Sequence, residues 1–179
     1  MAISSGLTTS CAKSCAGGVK RLWIANFEDV ATITFDGTNQ VTGITMVGPA
    51  VFYEVQLKRN SKSFTEQFNV SEDGCNNSLT QTFTGNGQCR DQDTRNFLID
   101  AAKQSCCGII VCHEENNGQV VVWGFLEDLN VRLGGGTQIT TGTNLTDPSQ
   151  ITLELICDTV VDGAAATFTL GVAGIVALT

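Results

Sequence analysis

The chain has 179 residues, 42% of them hydrophobic and only 16% charged, with a formal net charge of −8. That length suits one domain with a real core, while the charged fraction falls below the ~25% usual in soluble domains. The acidic balance argues against affinity for nucleic acid or an anionic membrane, since both need basic patches.

Residues 1–19 read as an N-terminal arm. The opening "MAISSGLTTSCAKSCAGG" lacks a basic segment followed by an apolar run, so no secretory signal is expected. The eight cysteines are then expected to stay reduced, as in a cytosol. Cys11 and Cys15 have a spacing compatible with zinc; the vicinal Cys106-Cys107 does not, because adjacent residues rarely bind one zinc. Three readings stand for these residues: zinc on Cys11, Cys15 and two distal cysteines; late disulfides, Cys11–Cys15 or Cys75–Cys89; and free thiols. The last is favoured, so neither a metal nor a cofactor is expected.

Strand patterns dominate residues 20–158. "KRLWIAN" (20–26) and "VATITFD" (30–36) are short apolar runs, "DGTNQ" (36–40) is a turn, and "VTGITMV" (41–47) follows. "VFYEVQLKRN" (51–60) alternates, with Val51, Tyr53, Val55 and Leu57 on one face. "KSFTEQFNV" (62–70) alternates too, and the two runs meet at Asn60-Ser61, which predicts a long hairpin over 51–70. Its polar face carries Glu54, Gln56 and Lys58 on one strand and Thr65, Gln67 and Asn69 on the other. "SLTQTFTG" (78–85) puts Thr80, Thr82 and Thr84 opposite Leu79 and Phe83. "DTRNFLIDAAKQ" (93–104) has helical spacing, with Asp93 as N-cap and an apolar stripe of Phe97, Leu98, Ala101 and Ala102.

"CGIIVCHEENNGQVVVWGF" follows (107–125). Asn117-Gly118 is the strongest two-residue hairpin signal. A turn there would pair Asn116 with Gln119, Cys112 with Trp123 and His113 with Val122. Successive strand side chains point to opposite faces, so Cys112 and His113 cannot share a metal or act as a dyad. Cys112 reads as a core residue. His113 reads as solvated near the turn, where substitution would be almost neutral. "LEDLNVRL" continues as strand, the Gly134-Gly135-Gly136 stretch as a flexible bend, and "SQITLELIC" (149–157) alternates with Ile151, Leu153, Leu155 and Cys157 inward. The tail 159–179, with "GAAATFTLGVAGIVALT", reads as an apolar strand extension, too short and too rich in Gly and Thr for a membrane span.

Enzymatic constellations are missing. The triple glycine is followed by Thr137 rather than by the Lys-Ser/Thr of a phosphate loop, no Gly-x-Ser-x-Gly elbow occurs, and His113 is the single histidine. No catalytic residue is expected. The fold class expected is mainly β: an antiparallel β-sandwich or half-barrel with one packed α-helix and extended hairpin arms.

The order of elements resembles the tail tube proteins of tailed bacteriophages, in particular those of phages of Bacteroidetes-type hosts. The pieces that carry the resemblance are "FYEVQLKRNSKSFTEQFNV", "SLTQTFTG", "TRNFLIDAAKQ", "CGIIVCHEENNGQVVVWGF", a Gly/Thr-rich loop and "QITLELIC", over roughly 20–157. The resemblance implies a virion tail protein, assembled in the host cytoplasm, whose subunits form stacked hexameric rings. Its partners would be itself and other tail proteins, with DNA passing through without specific binding. Glu54, Gln56, Lys58, Thr65, Gln67 and Asn69 are the lumen or assembly candidates. A head–tail connector or ring protein, a capsid decoration protein, and a cysteine-based metal module remain as alternatives.

Overall fold

A computed structural model describes residues 17–72, 75–88, 91–141 and 149–179. The expected architecture is borne out: the chain is mainly β, its sheets are antiparallel, and one main helix packs beside them. In chain order the elements are β1 (Val19–Asn26), β2 (Val30–Phe35), β3 (Val41–Met46), β4 (Tyr53–Glu54), β5 (Ser63–Asn69), β6 (Ser78–Gln88), α1 (Gln92–Gln104), β7 (Ile109–Glu115), β8 (Val120–Trp123), β9 (Arg132–Leu133), β10 (Gln138–Thr140), β11 (Gln150–Val160), β12 (Ala166–Thr167) and α2 (Gly171–Val176).

One sheet runs β12-β8-β7-β1-β4; the second runs β10-β11-β6-β5, with β9 also on β11. No closed barrel forms among the described residues. Between the sheets lies one core, with Leu22, Val111, Trp123, Phe83, Leu153 and Leu155. The opposite face of the first sheet has its own core, where Trp23, Ile110, Cys112 and Val122 meet Ile44, Phe168 and Ile175. β2 and β3 form a separate two-stranded ribbon, and α2 supplies Ile175 to the same cluster. The first sheet is therefore covered on both faces. This explains why "IIVCHE" in β7 is buried without alternation. Each fully buried Leu or Phe here is worth about 1.5–3 kcal/mol of apolar burial.

The helix begins earlier than its periodicity suggests. Asp91 rather than Asp93 caps α1, its Oδ1 accepting the Thr94 backbone N–H at 2.8 Å. Of the anticipated stripe Ala101 is buried and Ala102 exposed. At the 36–40 turn, Asp36 Oδ1 accepts from the backbone N–H of Thr38 and Gln40 and from the Thr38 hydroxyl. These three bonds stabilise the carboxylate and hold its pKa below the usual range.

Three expectations need correction. The 51–70 hairpin does not form: β4 pairs with β1, β5 pairs with β6, and the two strands lie in different sheets. The Val55 N–H bonds to Leu22 O at 2.8 Å and the Lys58 N–H to Asn86 O at 2.7 Å, so residues 55–62 cross from one sheet to the other. Alternation sets which face a residue takes but not which strand it pairs with. Tyr53, on the apolar side of that alternation, is 61% exposed, and Phe68 of β5 is 58% exposed.

The apolar tail is not a strand extension. Thr159 and Val160 end β11, Ala166 and Thr167 then pair with β8, and α2 follows. Val172 and Ile175 of α2, with Phe168 from the bridge before it, face the core. "LEDLNVRL" is mostly turn, with β9 only two residues long. Among the described residues no helix is long and apolar enough to cross a membrane. Cys11, Cys15 and Cys89 lie outside the described residues, so the zinc and disulfide readings that use them do too.

Candidate functional site

The outward face of the second sheet collects polar side chains from five strands. β5 contributes Ser63, Thr65, Gln67 and Asn69, which pair with Thr84, Thr82, Thr80 and Ser78 of β6. β6 in turn pairs with β11, setting Thr80 beside Asp158, Thr84 beside Glu154 and Asn86 beside Thr152. Gln138 of β10 pairs with Thr152, and Arg132 of β9 with Ile156. The inward partners on the same strands, Leu79, Phe83, Leu153 and Leu155, are buried. One period-2 alternation thus builds core on one side and a hydroxyl- and amide-rich surface on the other.

Part of this surface satisfies its own polar groups. A lateral chain crosses it: Gln67 Nε2 donates to Asn69 Oδ1 at 3.3 Å, Asn69 Nδ2 to Thr80 Oγ1 at 3.1 Å, and Thr80 Oγ1 to Asp158 Oδ1 at 3.0 Å. Arg132 Nη2 closes it by donating to Asp158 Oδ2 at 2.7 Å. The Arg132 hydrogen bond, followed by that from Thr80, holds the Asp158 carboxyl below its ordinary pKa. A second lateral pair joins Ser63 Oγ and Thr84 Oγ1 at 2.8 Å, and a third joins Thr152 Oγ1 to Asn86 Oδ1 at 3.2 Å.

The third charge on this face, Glu154, is also capped. Its Oε2 accepts the Gly136 backbone N–H at 2.5 Å, and its backbone carbonyl accepts from Gly134 at 2.8 Å. A β-carbon at 134 or 136 would collide with that carboxyl. The triple glycine is therefore a wrapping around Glu154 rather than the flexible bend expected of it.

Of the six candidates named from the sequence, Thr65, Gln67 and Asn69 stand together on this face. Glu54, Gln56 and Lys58 do not join them. Glu54 lies on β4 opposite Trp23; Gln56 and Lys58 belong to the crossing segment. Glu54 and Gln56 instead line a groove of about 580 Å³ with Val55, Phe97 and Leu98, between α1 and the edge of the first sheet. Arg132 and Asp158 went unnoticed in the sequence. Asp158 lies one step beyond the alternating "QITLELIC", at an outward position, and the pattern could have reached it.

The β7–β8 hairpin is one residue out of the expected register. Cys112 pairs with Val122 and His113 with Val121, and the Glu115 N–H bonds to Gln119 O at 2.8 Å. The loop is thus Asn116-Asn117-Gly118, with Gly118 at φ 88°, a three-residue connection. His113 is buried, not solvated, because the second sheet covers this face of β7. The Phe64 ring covers it with centroids 4.5 Å apart. Neither ring nitrogen has a hydrogen-bond partner, and burial pushes its pKa down to about 4. Cys112 takes the opposite face, as expected, and its thiol pKa is raised by burial. Burial and the neighbouring Asp158 push Cys157 up to about 11. Among the described residues no three His, Cys, Asp or Glu converge to hold a metal.

Compared with protein-family models, curated proteins and solved structures, the chain shows no match to any.

Proposed function

We propose that this chain is a structural subunit that pairs with copies of itself through the edges of the second sheet, as a tail tube protein of a tailed phage does. The observation that carries this reading is the pairing of that sheet's two features. Its outward face is polar and partly cross-linked by its own hydrogen bonds. Among the described residues its terminal strands β5 and β10 each pair on one side only. Unpaired strand edges recruit further strands. Joining β5 of one copy to β10 of the next would continue the sheet around a ring, the polar faces turned to the axis and the cores outward. Stacked rings of this kind, hexameric in the family the sequence resembles, would make a tube lined by Thr, Asn and Gln.

Such a lining suits a passing polyanion. Arg132 and Asp158 neutralise each other, and Glu154 is capped, so among the described residues no cation on the face is left to grip phosphate. The remaining excess of carboxylate repels it weakly. Light scattering of the purified chain tests the proposal. Rings or tubes far larger than one subunit are expected; a monomer throughout a wide concentration range would overturn it.

A further inference from the structure

The vicinal pair Cys106-Cys107 plays no part in that reading. Both thiols are exposed and free. They lie in the turn between α1 and β7, and that turn is pinned from both sides. The Ser105 hydroxyl donates to Ala101 O at 2.9 Å and accepts the Leu133 N–H at 2.9 Å. The backbone N–H groups of Cys107 and Gly108 both reach Gln104 O, at 2.9 and 2.8 Å. The Asn130 side chain occupies the place a β-carbon at 108 would need. The two thiols are therefore shown to solvent on a support that is already ordered, which lowers the entropy cost of binding something between them.

Their geometry selects what that can be. A structural zinc takes four ligands, and among the described residues no third ligand converges here. A direct disulfide is disfavoured, because consecutive Cα atoms are about 3.8 Å apart whereas bridged pairs span about 4.4–6.8 Å. What remains is a two-sulfur chelate by adjacent exposed thiols, which suits a thiophilic centre whose two bonds to sulfur make a bent angle. We propose that Cys106 and Cys107 form a dithiol site for trivalent arsenicals and other pyramidal soft centres. With an organoarsenous acid, R–As(OH)₂, two As–O bonds break and two As–S bonds form. The two thiol protons leave with the hydroxides as two waters, and arsenic stays trivalent.

Phenylarsine oxide, which hydrates to such an acid, is the probe. The reduced full-length protein should take up one arsenical at this pair, losing two titratable thiols. Peptide mapping should place it on residues 106 and 107, and the adduct should withstand excess monothiol but yield to a dithiol. Cys106→Ser and Cys107→Ser should each weaken retention against monothiol by about 10²-fold or more, because chelation is lost. The double variant reports whatever the other cysteines bind. If wild type releases the arsenical to monothiol as readily as the single variants do, or if mapping places it elsewhere, the site is refuted. Mapping uses wild-type protein alone, so the test holds even where a variant misfolds. It is also independent of whether the chain assembles.

Discussion

The Phe64 ring of β5 lies over the imidazole of His113 in β7, 4.5 Å between centroids, so an edge strand of one sheet seals the single histidine of the other. The same ring lies 5.1 Å from Trp123. The histidine is held neutral, because both of its nitrogens lack partners and its pKa falls from 6.5 to about 4.

That burial makes stability depend on pH. Between about pH 6.5 and 4 the unfolded chain takes up a proton at His113 that the folded chain refuses. Stability is therefore full above 6.5 and declines as pH falls towards 4. The loss is on the order of 3 kcal/mol. Urea midpoints measured from pH 7 to 4 should fall in wild type and stay flatter in His113→Leu. Equal slopes in the two proteins would show that His113 is not the group responsible. The carboxylates with lowered pKa, Asp36, Asp91 and Asp158, contribute below this window.

Gly124 follows Trp123 at φ 74°, and a β-carbon there would come 3.0 Å from the Val131 backbone nitrogen and 3.1 Å from Ile109 O. Neither neighbour is the end of a flexible side chain. Gly124→Ala should cost about 2 kcal/mol or more, combining the strained backbone with the collision. A denaturant midpoint unchanged from wild type would contradict this local geometry.

The Arg132–Asp158 pair is half exposed on both sides, so it should add little to stability. Arg132→Ala is expected to change unfolding free energy by less than about 1 kcal/mol. It should nonetheless raise the Asp158 pKa, because the largest contribution to its lowering is removed. Carbon-detected NMR titration of the Asp158 carboxyl reads this directly, and an unmoved midpoint would show that the pair is not formed in solution.

Gln67 sits in the middle of β5, paired with Thr80, and its strand is an edge. Proline is tolerated at sheet edges but cannot continue a ladder. Gln67→Pro should leave a soluble, folded monomer by circular dichroism while abolishing rings and tubes. Normal assembly of this variant would place the contacts between subunits away from β5.

Much of this architecture could be read from the residues. Period-2 alternation in 79–85 and 149–157 located β6 and β11 but not their pairing, and the helix announced itself through Phe97 and Ala101. Partner choice was not legible. Tyr53–Glu54 and Ser63–Asn69 look like two arms of a hairpin, but the choice between pairing with each other and with β1 and β6 rests on distant residues. The three-residue loop shifted the β7–β8 register by one, but the fate of His113 rests on Phe64, a residue of the other sheet that no local pattern places over it. In the tail, Gly and Thr concealed the short helix that carries Val172 and Ile175.

In the proposed assembly the outward face of the second sheet lines a closed ring. A cryo-electron microscopy reconstruction of assemblies grown from the purified chain tests this arrangement. Hollow rings or tubes are expected, in which β5 of one subunit pairs with β10 of the next and Thr65, Thr82 and Asp158 face the axis. Assemblies with that face turned outward, or with β5 and β10 left unpaired, would contradict it.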